Sequence, residues 1–240
     1  MNILVVNDDS IHAPGIAVLA RAAAALGDVW VVAPANQCSA MSQKLTLTQP
    51  LTFRKLEDYP APVRCAYEVG GTPVDCVKVA LDYALSIKPD LVLSGINNGY
   101  NAGYDINYSG TLGAAFEALR NGIPAMAFSA PSDAHLQAAE AYVLPLLRQL
   151  LEMKPEHGAV WNVNFPPMKD AAPKGILWDR KTAPTSMYIE RYEAHCLADG
   201  RVELTCRGIP MPDDRIPAGT DAAAVRQGYI SVGQVKTAGL

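Results

Sequence analysis

The run Ile3-Leu4-Val5-Val6, stopped at once by Asn7-Asp8-Asp9-Ser10, constrains this chain most. It is short, rich in β-branched residues and without polar alternation. That is the pattern of a strand buried on both faces, hence of the central strand of a parallel sheet. Pro14-Gly15 follows, then an amphipathic run to Leu26 with Ile16, Leu19, Ala23 and Leu26 on one face. Two adjacent carboxylates thus stand at the carboxyl end of a first strand, just before a helix. In open α/β sheets that edge is where ligands bind. Neighbouring carboxylates repel each other, and a hard divalent cation, Mg²⁺ or Mn²⁺, is the natural compensator because it takes oxygen ligands and retains water and phosphate. Taken alone, the pair also fits a solvated turn.

The same rhythm continues. Val29 to Ala33, Asp90 to Ser94, Ile123 to Phe128 and Val160 to Phe165 read as further buried strands. Between them lie helical stripes: Val77, Leu81, Ala84 and Leu85; Leu112, Ala115, Phe116 and Leu119; Leu136, Ala139, Val143, Leu146, Leu147 and Leu150. Thr72-Pro73 starts the first of these with a cap and a proline at the first turn. Pro145 is expected to kink the last or shift its start. One β excursion spans 45–69: Leu45-Thr46-Leu47-Thr48 alternates as a strand, Leu51 to Arg54 suits its hairpin partner, and Ala66 to Val69 is a third short strand. The expectation is an α/β core over 1–167, a mostly parallel sheet with helices on both faces. Past Pro167, Ile176-Leu177-Trp178, Tyr188-Ile189 and Val202 to Cys206 alternate with Pro and Gly. They read as antiparallel hairpins of a smaller C-terminal extension over 168–240, able to reach a partner chain. Thr220 to Val225 reads as a helical turn, Gly228 to Val232 as a returning strand, and Lys236 to Leu240 as a frayed tail.

The 240 residues suffice for one large domain, or one with an appendage. A net charge of −4 leaves no electrostatic footprint for a nucleic-acid polymer. The five scattered cysteines lack any CxxC pair and suit reduced thiols in the cytoplasm. No leader-like segment opens the chain, and no apolar run approaches the roughly 18 residues of a membrane span.

Three polar loops follow buried strands: Asp8-Asp9, the loop Ala35 to Ser42 with Ser39, and the Asn/Gly loop Gly95 to Gly103 with Asn97 and Asn101. In a parallel sheet such loops share one edge and can converge. Two carboxylates, a hydroxyl and an amide oxygen make a hard-metal set with positions left for water and phosphate. Ser109-Gly110-Thr111 opens a helix, and its free N–H groups and hydroxyls suit the other side of a phosphate; simple capping is the alternative. Tyr100, Tyr104 and Tyr108 suit either base stacking or packing.

Several stretches together resemble the SurE family, stationary-phase survival proteins that act as 5′-nucleotidases. They are Asn7-Asp8-Asp9, His12 to Ile16, Val32-Ala33-Pro34, Ser39, Leu45-Thr46-Leu47, Gly71 to Cys76, Ser94 to Asn97, Tyr108 to Thr111, Asn162-Val163-Asn164, Gly219-Thr220-Asp221 and Gly228 to Val232. They span the chain in the family's order. The resemblance implies a Rossmann-like core with a smaller β extension, and a phosphatase of nucleoside monophosphates dependent on one divalent metal. It places metal ligands on Asp8, Asp9, Ser39 and Asn97, and phosphate contacts on Asn101, Ser109, Gly110 and Thr111. It also implies a homodimer or homotetramer exchanging C-terminal segments. Ser10 stands where the family usually has Gly, which is a strained choice if that position needs positive φ. The loop Ala35 to Ser42 lacks two arginines usual in the family, and Lys44 is placed to replace part of their charge.

The expected reaction is phosphomonoester hydrolysis. Asp8 or Asp9 orients the water or takes its proton, and N–H groups near Gly110 and Thr111 stabilise the phosphoryl oxygens. His12 lies close in sequence but a lone His is more often structural. A receiver domain would need a phosphoacceptor Asp after its third strand, and a dinucleotide oxidoreductase a GxGxxG after its first; neither is present. The alternative is a metal- or nucleotide-binding member of the family that is catalytically weak or silent.

Overall fold

The computed structural model describes residues 1–131, 136–168 and 172–237. Nine strands form one sheet: β1 (Asn2–Val6), β2 (Asp28–Pro34), β3 (Phe53–Leu56), β4 (Cys65–Val69), β5 (Leu91–Asn98), β6 (Ala125–Ala130), β7 (Ala159–Asn164), β8 (Ile176–Arg180) and, last in the chain, β11 (Ile230–Lys236). Their spatial order is β3-β4-β2-β1-β5-β6-β7-β11-β8. The strands from β4 to β7 in that order run parallel; β3 is antiparallel to β4, and β11 to β7. A separate two-stranded antiparallel hairpin joins β9 (Tyr188–Cys196) to β10 (Val202–Pro210). The chain is therefore an α/β protein with a mostly parallel sheet and a β appendage.

Strand β1 is central because Ile3, Leu4, Val5 and Val6 are all fully buried. Ile3 and Val5 pack on one face with helices α1 (Pro14–Ala24) and α4 (Gln137–Glu152); Leu4 and Val6 pack on the other with α2 (Pro73–Val79) and α3 (Gly110–Arg120). Apolar side chains on both faces are what two helical layers require. The neighbours of β1 are β2 and β5, so the winding of the sheet reverses beside it. This is the topological switch point, where parallel sheets open a crevice.

Three expectations change. Residues 45–48 form no strand. Their alternation arises because Leu47 is 82% exposed while Thr46 turns inward onto the buried Asp75 carboxylate, its N–H at 2.9 Å and its hydroxyl at 2.7 Å. A polar tether, not an apolar face, sets the period of two there. The partner of β3 is accordingly β4, with Phe53 stacked on Tyr67 at 4.9 Å. Ile176-Leu177-Trp178 is not part of a hairpin: β8 lies parallel to β11 at the edge of the main sheet, where Ile176 and Trp178 pack against the core. Helix α4 keeps Pro145 in its interior. Pro145 and Ala141 are exposed, so the carbonyl left without its N–H partner faces water. Ala66 to Val69, the 220–225 turn and the returning strand stand as read, as β4, α5 (Asp221–Arg226) and β11. Residues 238–240 of the expected tail lie outside the described residues.

Asp75 is the buried brace of this half of the fold. Thr72 caps α2, its hydroxyl accepting the Asp75 N–H at 3.2 Å while Asp75 accepts the Thr72 N–H at 2.8 Å. With Thr46 added, one carboxylate holds the loop, the cap and the helix. Asp75→Ala leaves these donors without their acceptor and is expected to cost about 3 kcal/mol of stability, measured by denaturant unfolding. The loop 41–48 is expected to become the first protease-sensitive segment.

Candidate active site

Asp8 follows β1 directly and is only 3% exposed. Its Oδ1 accepts the Thr111 hydroxyl at 2.7 Å. Thr111 lies in the first turn of α3, which Ser109 caps by accepting the Leu112 N–H at 3.0 Å. Between them, Gly110 comes so close that an added Cβ would stand 3.1 Å from Asp8 Oδ2. A side chain there would meet the carboxylate in a tight contact, because the helix N-terminus lies close against it. Burial, and then the Asp9 charge, push the Asp8 carboxyl up to about 7, against the Thr111 hydrogen bond that pulls it down.

Asp9 turns the other way and accepts the backbone N–H of Asn98 at 2.7 Å, tying β1 to the end of β5. The β5–β6 register shifts between Ser94 and Asn97, which re-aims the chain as it enters the asparagine loop. The Asn97 amide nitrogen donates to the Gly99 carbonyl at 2.8 Å. That bond fixes the amide and leaves its oxygen as the free donor atom for a ligand.

Ser39 is carried by the loop 35–44 and is exposed. The loop is pinned on both sides of it. The Cys38 N–H donates to the Asp8 carbonyl at 2.6 Å, and the Ser42 N–H to the Tyr108 carbonyl at 2.9 Å. The Ser42 carbonyl then lies so close to Gly113 that a Cβ there would meet it at 2.2 Å. Ser10, Ala40 and Ser42 adopt φ of 93°, 57° and 50°. Position 10 therefore does demand positive φ, and the strain is met by the Asn7 amide, which donates to the Ser10 carbonyl at 2.7 Å.

The structure thus brings Asp8, Asp9, Asn97, Gly110 and Thr111 to one edge through direct bonds and close approaches, and ties the Ser39 loop to it. It places Asn101 differently. That side chain is buried, and its amide donates to Ser129 Oγ at 2.8 Å. Its backbone N–H donates to Asn164 Oδ1 at 2.9 Å, while its carbonyl accepts from Asn162 and Asn164 at 2.8 and 3.0 Å. Asn101 anchors the asparagine loop to the ends of β6 and β7. His12 pairs with Glu68 at 3.2 Å, and Arg54 takes the other Glu68 oxygen at 3.0 Å. Tyr100 packs into the C-terminal cluster, whereas Tyr104 and Tyr108 are exposed.

Two positioning groups had no role in the sequence reading. Asn162 and Asn164 are buried polar residues inside β7, and a buried strand with two asparagines is itself a signal of a polar clamp. Asp221 accepts the Gly103 N–H at 3.1 Å, the Ala183 N–H at 2.9 Å and the Ala222 N–H at 2.7 Å. It locks the far end of the asparagine loop to the C-terminal segment. The Thr220-Asp221 cap pattern marks the helix start but not this long-range bond.

The donor chemistry fits a hard cation. Among the described residues no group of three His, Cys, Asp or Glu side chains is placed to hold a metal. Two adjacent carboxylates joined by neutral hydroxyl and amide oxygens suit Mg²⁺ or Mn²⁺ rather than a soft ion. The class defined is an α/β protein with a carboxylate-bearing polar edge at its switch point. The chain belongs to the SurE family: the family model described as Survival protein SurE matches residues 3–187. It is 39% identical over 235 residues to 5′-nucleotidase SurE 1 of Thermus thermophilus, covering 97% of this chain and 90% of that protein. It is 41% identical over 239 residues to 5′-nucleotidase SurE of Paramagnetospirillum magneticum, covering 97% and 88%. The crystal structure of the SurE protein from Aquifex aeolicus superposes with a TM-score of 0.81 at 34% identity, covering 98% of this chain and 93% of that one.

Because the neutral carboxyl is the favoured folded form of Asp8, its contribution to stability is full below about pH 4 and is lost as pH rises through about 7. Metal-free protein is expected to lose roughly 2–3 kcal/mol between pH 5 and 8. Asp8→Asn is expected to flatten that loss in denaturant titrations run at each pH.

Proposed function

We propose that this chain is a divalent-metal-dependent 5′-nucleotidase, hydrolysing nucleoside monophosphates to nucleoside and phosphate. The observation that carries this is the buried Asp8, hydrogen-bonded to Thr111 at the N-terminus of α3, in a chain whose curated relatives are named 5′-nucleotidases. Asp8, Asp9, Ser39 and Asn97 would hold the cation. When bound, it supplies charge neutralisation for the phosphate and acidifies water.

The chain's own groups do the rest. The first N–H groups of α3, at Gly110 and Thr111, lie at the positive end of an eleven-residue helix and would take phosphoryl oxygens. Asp9, held by Asn98, orients the attacking water and accepts its proton. The water oxygen bonds to phosphorus as the ester oxygen leaves with its electron pair and takes a proton from solvent water. Thr111 keeps Asp8 in place, and Asn101 supports the phosphate side by anchoring its loop. The five free cysteines suit a reducing compartment such as the cytoplasm. No helix among the described residues is long and apolar enough to cross a membrane.

The reading also includes a homo-oligomer built through the β9–β10 hairpin. Cross-strand partners share a face, so Tyr192, Ala194 and Cys196 stand beside Cys206, Leu204 and Val202. Tyr192, Leu204 and Val202 are exposed by 66%, 63% and 52%. The opposite face carries His195, Glu193 and Arg191 beside Glu203, Thr205 and Arg207. An apolar face on a lone hairpin calls for cover, and a second copy of the chain supplies it.

Phosphate release from nucleoside monophosphates is expected with Mg²⁺ or Mn²⁺, to stop on chelation, and to fall on the order of a hundredfold or more in Asp8→Asn. Retained release in that variant would refute the assignment. Leu204→Glu is expected to shift the sedimenting species toward monomer while leaving the circular dichroism spectrum unchanged.

A further inference from the structure

We propose that the nucleoside of the substrate lodges in a cavity beside the carboxylate pair, where Lys44 selects bases that present a carbonyl oxygen. This rests on the nucleotidase reading and names what that site recognises. The cavity, about 290 Å³, lies between the loop 35–44 and the Gly70-Gly71 turn that joins β4 to α2. Asn36, Gln37, Met41, Lys44, Val69 and Gly70 line it. It adjoins the proposed metal donors through the chain itself. Cys38, also in its wall, donates its N–H to the Asp8 carbonyl at 2.6 Å, and Ser39 is the next residue. A phosphate ester held at Asp8 and Asp9 therefore has this hollow close by.

The wall chemistry suits a flat heterocycle. Met41 offers apolar surface for a ring face. The polar groups divide into spent and unspent. The Thr46 hydroxyl already donates to Asp75, and that of Thr72 to the Lys44 carbonyl at 2.6 Å. Among the described residues the Lys44 amine has no ion pair. Gln37 spends its amide nitrogen on Ser39 at 3.0 Å, leaving its oxygen with no donor among the described residues. An ammonium offers donors alone. The base edge that meets Lys44 must then present an acceptor; ring nitrogens such as N7 are common to both purines, so selection rests on the exocyclic position, O6 of a 6-oxopurine or a pyrimidine carbonyl. Adenine presents an amino donor where guanine presents O6.

The test is steady-state kinetics on GMP, AMP and p-nitrophenyl phosphate for the wild type and Lys44→Met, which keeps the stem and removes the charge. Calorimetric binding of guanosine to the same proteins gives a readout that needs no turnover. The KM for GMP is expected to rise about tenfold, several times more than those for AMP and p-nitrophenyl phosphate, and guanosine binding to weaken in step. An equal rise on all three substrates would put Lys44 on the phosphate and overturn the base assignment; unchanged KM values and guanosine affinity would overturn it as well. Guanosine binding that weakens in Lys44→Met, in a protein releasing no phosphate from any nucleotide, would uphold the cavity and refute the nucleotidase reading instead.

Discussion

One hydrogen bond, from the Thr111 hydroxyl to the buried carboxylate of Asp8, sets the terms for everything around it. It joins the end of the central strand to the start of α3, two segments about a hundred residues apart. A charge buried beside another charge is unfavourable unless something opposite faces it. The helix N-terminus supplies part of that, and the proposed cation would supply the rest. At Gly110 the helix comes within a tight Cβ contact of the carboxylate, so a side chain there would push one against the other by a few tenths of an ångström.

Around this bond the three loops are held from behind by buried polar groups. Asp75 holds the segment after the Ser39 loop, Asp9 holds the entry of the asparagine loop, and Asn101 with Asn162 and Asn164 holds its middle. Asp221 holds its exit from more than a hundred residues away. Each of these groups ties backbone N–H or C=O, with side-chain bonds from Thr46 to Asp75 and from Asn101 to Ser129 added. Backbone placement is what a site made of loop oxygens requires, because the donors' positions follow the main chain.

The loop 35–44, which carries Ser39, is firmly seated. Ser10, Ala40 and Ser42 take positive φ without the freedom of glycine. Strain of that kind persists only where neighbours fix it, and the bonds from Asn7, Cys38 and Ser42 do so. Lys44 is the cation of this wall.

Much of the architecture was legible because apolar runs and helical stripes are local signals. The strand Ile3 to Val6, its carboxylates, the helix capped by Ser109 and the rhythm to β7 all follow from residue order. The demand at Ser10 was legible too, since a strained position announces itself by the glycine it usually carries. Local pattern failed at residues 45–48, where Thr46 mimics a strand because a buried carboxylate, not a sheet, draws it inward. It failed at β8, whose parallel seat beside β11 depends on a strand fifty residues later. The resemblance put Asn101 near the phosphate, and the fold shows it buried and anchoring its loop through Ser129. Residue order alone settled the succession of strands and helices and the chemistry of the donors. Which loops meet, which polar groups brace them and how deeply Asp8 is buried were settled only by folding, because those rest on contacts between residues far apart in the chain.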